Sequence, residues 1–313
     1  MQQGVRNKNG TTMKKSMASI KRNKIIFYSV MMTPLILQFL VFYLYVNLNS
    51  FVLAFQEYSY DTGDYALAGF KNFIQIFKDF QTEQYLQSSI VNSLELFFWM
   101  MIFGSVVAIF FSYYIYKEHV GSMLFKIMLY LPNILGGVVV VIMYKYFVDN
   151  ALPEFAKLLG IEMDGLLFNP KTQRTTIIFY TIFTSFGTQV LVYSSAMSGI
   201  SDSIIESAQL DGITPMKELF YIVLPSVWST FVTFMVSSVI GIFTHQMSLY
   251  TFYGERAEYS LFTFGYYLYR GTVIAGNVDY PYLSAMGLLL TSIALPLTLF
   301  IRWALKKFGP SRE

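Results

Sequence analysis

The sequence predicts an all-α integral membrane protein of six transmembrane helices with both termini in the cytoplasm. Three observations carry that prediction. Of 313 residues, 55% are hydrophobic and only 13% charged, about half the charged share of a soluble domain, and the mean hydropathy is +0.48. Six apolar stretches, at 25–47, 90–116, 126–148, 174–198, 227–250 and 283–304, reach the roughly 20 residues that cross a hydrocarbon core. Positive charge gathers at both ends: Arg6, Lys8, Lys14, Lys15, Lys21, Arg22 and Lys24 precede any acid, and Arg302, Lys306, Lys307 and Arg312 close the chain. Lys and Arg mark cytoplasmic segments, and an even number of spans returns the chain to the side it left.

The elements follow in order. The basic segment 1–24 reads as an anchor touching anionic membrane lipid; no nucleic-acid partner is expected. The first apolar run is too long for a signal-peptide core and no small-residue cleavage site follows, so it is expected as a retained helix. The membrane domain is expected over 25–304, and 305–313 as a cytoplasmic tail. Segment 48–89 should face outward: it sets Glu57, Asp61, Asp64, Asp79 and Glu83 against Lys71 and Lys78. A short amphipathic helix near Asn72–Phe80 should lie at the interface. Loops 117–126 and 199–226 fall inside, and 149–173 and 251–282 outside. The cluster Tyr259, Phe262, Phe264, Tyr266, Tyr267 and Tyr269 is either an aromatic belt at headgroup level or a surface for an external partner.

Polar residues within the spans are few. Glu95 stands about one turn inside the outer end of span two. An intramembrane acid is a candidate for function, but its depth is shallow, and pairing with a neighbouring helix, or with Lys145, is the favoured reading. In span five, Ser238, Gly241, Ile242 and His245 recur at helical spacing on one face, with Gln246 beside them. In span four, Thr181, Thr184, Ser185 and Thr188 do the same, with Gln189 alongside. Such faces either pack helices closely or line a solute path.

Several chemistries are excluded. There is no Cys and there are two His, His119 and His245, so neither a thiolate or histidine-rich metal site nor a catalytic residue is expected. No Gly-Lys pair occurs, hence no phosphate-cradling P-loop.

Loop 199–226 is not linker-like. Ser203 with Glu206 forms a capping box, Ile204, Ile205, Ala208 and Leu210 give an apolar face, and Gly212 suits the left-handed position that closes a helix. Thr214 and Pro215 open a second helix, with Leu219, Phe220, Ile222 and Val223 on its apolar face and Pro225 separating it from span five. So apolar a loop must bury itself, against its own bundle or against a partner.

The spacing Glu206-Ser207-Ala208, then Gly212, Ile222 and Leu224-Pro225, with Asp211 and Phe220, resembles the loop signature of permease subunits in binding-protein-dependent ABC importers, sugar-permease subfamily. Ser207 and Ile213 depart from it where Ala and a small residue are usual. Gly69-Phe70-Lys71-Asn72-Phe73, Asn92-Ser93-Leu94 and Leu152–Gly160 extend the resemblance, the last toward the maltose-permease-like half of such heterodimers. It implies the type I ABC importer permease fold in a bacterial cytoplasmic membrane, and a non-catalytic subunit forming half of an oligosaccharide path. The partners implied are a second permease subunit, an ATPase dimer that uses ATP and Mg, and an extracellular solute-binding protein; this chain needs no cofactor. Glu206, Ser207, Ala208, Leu210, Asp211, Gly212 and Phe220 would couple to the ATPase. Thr184, Thr188, Gln189, Ser238, Gly241, Ile242, His245 and Gln246 would line the sugar path. Two alternatives stand: a permease for glycerol-phosphate or another polar solute, though spans two, four and five hold no central Lys or Arg, and a secondary transporter, though no inverted repeat is visible.

Overall fold

The computed structural model describes residues 6–310, with side chains from residue 21 onward. The side chains of Arg6, Lys8, Lys14 and Lys15, and Arg312 altogether, lie outside the described residues. Among the described residues, four helices are long and apolar enough to cross a membrane: α1 (Lys21–Leu53, helical back to Arg6), α3 (Gln84–Tyr116), α6 (Pro170–Met197) and α12 (Tyr280–Phe308). Two bent pairs bring the count to six if each pair is one span. These are α4 (Ser122–Ile134) with α5 (Gly137–Leu158), and α8 (Pro215–Ser226) with α9 (Trp228–Thr244).

The bends correct two expected spans. Span three is not a straight rod over 126–148; α4 and α5 meet at 107°. Pro132 removes a backbone donor near the end of α4, and Leu135 and Gly136 then run extended (ψ 149° and 133°). The chain turns where the helical ladder is weakest. Span five does not run through to residue 250. It ends at Thr244, His245 is extended, and Met247 and Ser248 both take positive φ (53° and 54°) before α10 (Leu249–Tyr253) begins. Non-glycine residues rarely occupy this region, and such strain collects at functional sites. Pro225 does not separate the loop helix from span five either; α8 runs past it and breaks at Val227, by 71°. Wide i→i+5 turns over Leu219–Val223 loosen the ladder that Pro225 would otherwise disrupt. Similar wide turns occupy Phe39–Tyr45, Met100–Val107 and Phe147–Ala151.

The all-α expectation is amended by a hairpin, β1 (Gln56–Ser59) antiparallel to β2 (Asp64–Leu67), with Tyr58 opposite Tyr65 and Gly63 turning at φ +68°. The expected amphipathic helix is α2 (Lys71–Thr82), which buries Ile76. Asn72 holds it to the end of α1 by donating to the carbonyls of Ala54 (3.0 Å) and Gln56 (2.8 Å). We call this end of the bundle the hairpin side and the end carrying residues 199–226 the loop side.

Three apolar clusters hold the bundle. On the hairpin side Leu96, Val141, Ile177, Tyr180, Phe252 and Phe262 pack together. On the loop side Ile109, Tyr113, Val190, Tyr193, Leu219 and Val223 do so. The third cluster joins Ala54, Ile76 and Leu86 to Phe264 of α11 (Phe264–Ile274) and to Ala285 and Met286 of α12. Small residues set the closest approaches: a Cβ on Gly187 would lie 1.9 Å from the Leu129 carbonyl oxygen, so α4 and α6 touch through backbone. Helix α1 stands apart, with Lys21–Val52 exposed throughout, and only its last two turns pack on α12.

Candidate functional site: a polar cavity and a capped loop

Between the hairpin-side and loop-side clusters lies a cavity of about 470 Å³. Helix α6 lines it with Thr184, Ser185, Thr188 and Gln189, α9 with Phe234, Ser237, Ser238 and Gly241, α3 with Leu96, Phe97 and Met100, and α4 with Asn133; His245 stands at its end. No Lys, Arg, Asp or Glu is among these residues. Asn133 organises one wall: its Oδ1 accepts from the Thr188 hydroxyl (3.0 Å) and its amide donates to the Thr184 carbonyl (3.5 Å). Ser238 donates back to the Phe234 carbonyl at 2.9 Å, the usual resting bond of a helical serine. Gln189 is buried with its Oε1 unpartnered, and a Cβ on Gly104, across from it in the wide turns of α3, would come within 2.2 Å of that oxygen. His245 Nδ1 accepts from the Met247 amide (2.9 Å), and its carbonyl accepts from Thr263 (2.8 Å). The unwound stretch is therefore hydrogen-bonded on both sides. A larger cleft of about 970 Å³ opens on the loop side and is edged by Arg302 and Lys306.

Six of the eight residues expected on a solute path thus border one cavity. Ile242 and Gln246 do not: Ile242 is buried in helix packing and Gln246 falls in the unwound stretch beyond α9. Thr181 faces the core and bonds back to the Ile177 carbonyl at 2.9 Å. Sequence reasoning missed Asn133, Phe97, Met100 and Ser237. Asn133 carried a readable signal, a lone amide directly after Pro132 in an apolar run.

Glu95 pairs with Arg174, at the hairpin-side start of α6, and not with Lys145. Lys145 instead reaches the Phe252 carbonyl at 3.4 Å. Both members of the Glu95–Arg174 pair keep about a third of their side-chain surface exposed.

The loop begins with α7 (Asp202–Leu210). Its cap corrects the expected one: Ser201 is the N-cap, Ser203 lies inside the helix, and their hydroxyls bond each other at 2.8 Å, so no Ser203–Glu206 box forms. The other end is as expected from Gly212, whose φ is +75°. The Ile213 amide donates to the Ala208 carbonyl (3.1 Å) and the Gly212 amide to Gln209 (3.0 Å), the paired bonds of a Schellman ending. Thr214 precedes Pro215 at the start of α8 without a side-chain cap bond. Glu206, Ser207, Leu210, Asp211, Gly212 and Phe220 are exposed and Ala208 half-buried; Leu210 is 89% exposed, although apolar. Ile205, Leu219 and Val223 bury the other face.

One further group on this loop was not expected. Glu218 is buried in α8. Its Oε1 receives Lys117 Nζ at 2.5 Å and the Tyr113 hydroxyl at 3.2 Å. An acid four residues before Ile222 on the apolar stripe of α8 was the legible sign.

Residues 100–313 match the family described as binding-protein-dependent transport system inner membrane component. The chain is 22% identical over 272 residues to the arabinooligosaccharides transport system permease protein AraP of Bacillus subtilis (strain 168), covering 85% of this chain and 84% of that one. It is 25% identical over 293 residues to the polygalacturonan/rhamnogalacturonan transport system permease protein YteP of the same organism, covering 90% and 88%. Among solved structures it resembles, with a TM-score of 0.77 and 22% identity over 94% of this chain and 99% of that one, a bacterial ABC transporter involved in the import of the acidic polysaccharide alginate.

Proposed function

The chain belongs to the family of binding-protein-dependent transport system inner membrane components, and from that premise we propose that it forms half of the path of an ATP-driven oligosaccharide importer. It is a multi-pass membrane protein, and the permease fold is that of its ABC-importer neighbour. The observation that carries the substrate class is the chemistry of the cavity. Hydroxyls and amides of Asn133, Thr184, Ser185, Thr188, Ser237 and Ser238 stand beside the rings of Phe97 and Phe234, with no charged side chain among the lining residues. A sugar offers hydroxyls that exchange hydrogen bonds with such groups and C–H faces that stack on rings. A phosphorylated solute would find no cation to pair its charge in this half of the path. The names of AraP, YteP and the alginate importer support a saccharide, and an acidic one such as alginate would draw its counter-charge from the second permease.

In this reading the loop side is cytoplasmic, and the exposed face of α7 sits in a groove of an ATPase pair that consumes ATP and Mg. A second permease completes the cavity, and a solute-binding protein delivers the sugar from the hairpin side. ATP-driven closure of the ATPases displaces α7, and the two bundles rock between inward- and outward-open states. This chain contributes no catalytic group. The test is uptake by the reconstituted importer. Ser238→Trp should fill the cavity and abolish uptake while assembly and basal ATP hydrolysis persist. Undiminished oligosaccharide uptake by Ser238→Trp would move that face to helix packing.

A further inference from the structure

Glu218 takes no part in the exposed docking face. It is 3% exposed and turned toward the end of α3. Two groups meet its Oε1: Lys117, just past the last residue of α3, at 2.5 Å, and the Tyr113 hydroxyl at 3.2 Å, which also reaches the Pro215 carbonyl at 3.2 Å. Lys117 is further held over the rings of Tyr113 (5.7 Å) and Tyr116 (5.5 Å). A buried ion pair is weak evidence for stability, because well-packed apolar residues stabilise as well or better; its best-attested use is fixing register. The apolar contacts of Leu219 and Val223 with α3 and α6 have no preferred direction and permit sliding. The bonds to Glu218 fix one angle and one height of α8 against α3.

Two pliant joints flank this point. Gly212 separates α7 from α8, and the 71° break at Val227 separates α8 from α9. A displacement of α7 would dissipate in either joint unless α8 is tied to the bundle between them. Helix α3 is continuous from there past the cavity residues Met100, Phe97 and Leu96. At its hairpin-side end Asn92 donates to the carbonyls of Ser260 (2.7 Å) and Phe262 (2.8 Å), and Ser93 accepts from the Phe264 amide (3.3 Å). We infer that Glu218 is a positioning residue which, through Lys117 and Tyr113, delivers the movement of the ATPase-docking loop to α3, and through α3 to the hairpin-side segment 260–264. The inference rests on the coupling role proposed above for α7.

The test is sugar imported per ATP hydrolysed, measured on the complete importer in proteoliposomes with its binding protein. Glu218→Gln and Lys117→Met should keep the ATPase bound and hydrolysing, while the import ratio falls by roughly fivefold or more, the size of a lost coupling contact. The exchanged pair Glu218→Lys with Lys117→Glu should recover most of it. Tyr113→Phe, which removes one oxygen and keeps the ring, should lower the ratio by about twofold and remains informative if Glu218→Gln fails to assemble. A parental ratio in Tyr113→Phe together with either single-charge variant overturns the inference, as does an exchanged pair that assembles but stays as uncoupled as the single variants. If the parent importer itself takes up no oligosaccharide or binds no ATPase, the proposed function fails instead.

Discussion

Helices α1 and α6 invert the expected link between hydropathy and burial. The most apolar window of α1 has a mean hydropathy of 2.1 and none of it is buried; that of α6 has 1.4 and 44% is buried. In water the more apolar helix would be the inner one. In a bilayer the lipid tails satisfy Phe, Leu and Val as well as protein does, so helices associate through close backbone approach and hydrogen bonds. Helix α6 has the groups for this: Gly187 against Leu129, Thr188 with Asn133, and Ser112 of α3 donating to the Val190 carbonyl at 3.0 Å. Helix α1 offers mostly bulky apolar side chains and packs only where Asn72 and α12 grip its last turns.

The comparison can be broken most directly at Gly187. Gly187→Val places side-chain carbon against the Leu129 backbone and should destabilise the bundle by about 3 kcal/mol or more, the top of the overpacking range, seen as a lower melting temperature in detergent. Ile36→Ala in α1, at a residue 49% exposed, should leave that temperature within the scatter of ordinary surface changes, about 0.5 kcal/mol. Equal losses in the two variants would refute the contrast.

A smaller effect is expected at Gly212, which sharpens the distinction between crowding and backbone strain. Nothing lies within 4 Å of a Cβ there, but φ is +75°. Gly212→Val should therefore cost about 1–2 kcal/mol of local strain, leaving the bundle's melting unchanged while ATPase capture and uptake fall together. Retention of both would remove Gly212 from the coupling loop.

The smallest effect belongs to Glu95. Its pair with Arg174 is about one-third exposed on each side, so solvent screens it. Glu95→Gln should change stability by less than about 1 kcal/mol, and less again in high salt. A loss as large as that of Gly187→Val would show the pair to be sealed from solvent, as the proposed second permease would seal it.

What was legible in the sequence follows from the same physics. The spans were readable because hydropathy reports the preference for hydrocarbon over water, and Gly212 because a helix ending is a local backbone event. The bends were not: residues 126–148 are mostly apolar, and Pro132 with Gly136 and Gly137 were outweighed by the run around them. The break after Thr244 was hidden because Met247 and Ser248 are not residues that advertise positive φ; Thr263, distant in sequence, holds His245 in place. The cavity was partly legible, since α6 and α9 are regular helices over the stretches concerned. Asn133 and Met100 were missed because they arrive from helices whose facing is set by a bend and by wide turns. Arg174 was missed as the partner of Glu95 because it was assigned to the end of a span, where a cation is ordinary.

The wide turns of α3 over Met100–Val107 also bear on how the chain tolerates insertion and deletion. A turn closed by i→i+5 bonds holds one residue more than an α-helical turn needs. Deleting one residue there, Ile102 for instance, takes up that surplus: ordinary winding resumes and the halves of α3 on either side keep nearly their relative phase, so Asn92 still meets the carbonyls of Ser260 and Phe262 while Tyr113 and Lys117 keep their bonds to Glu218. The same deletion in the regular winding of α6 has no surplus to take up and rotates one half against the other by about 100°. The extra residue thus makes the middle of α3 the place where a spanning helix tolerates a deletion.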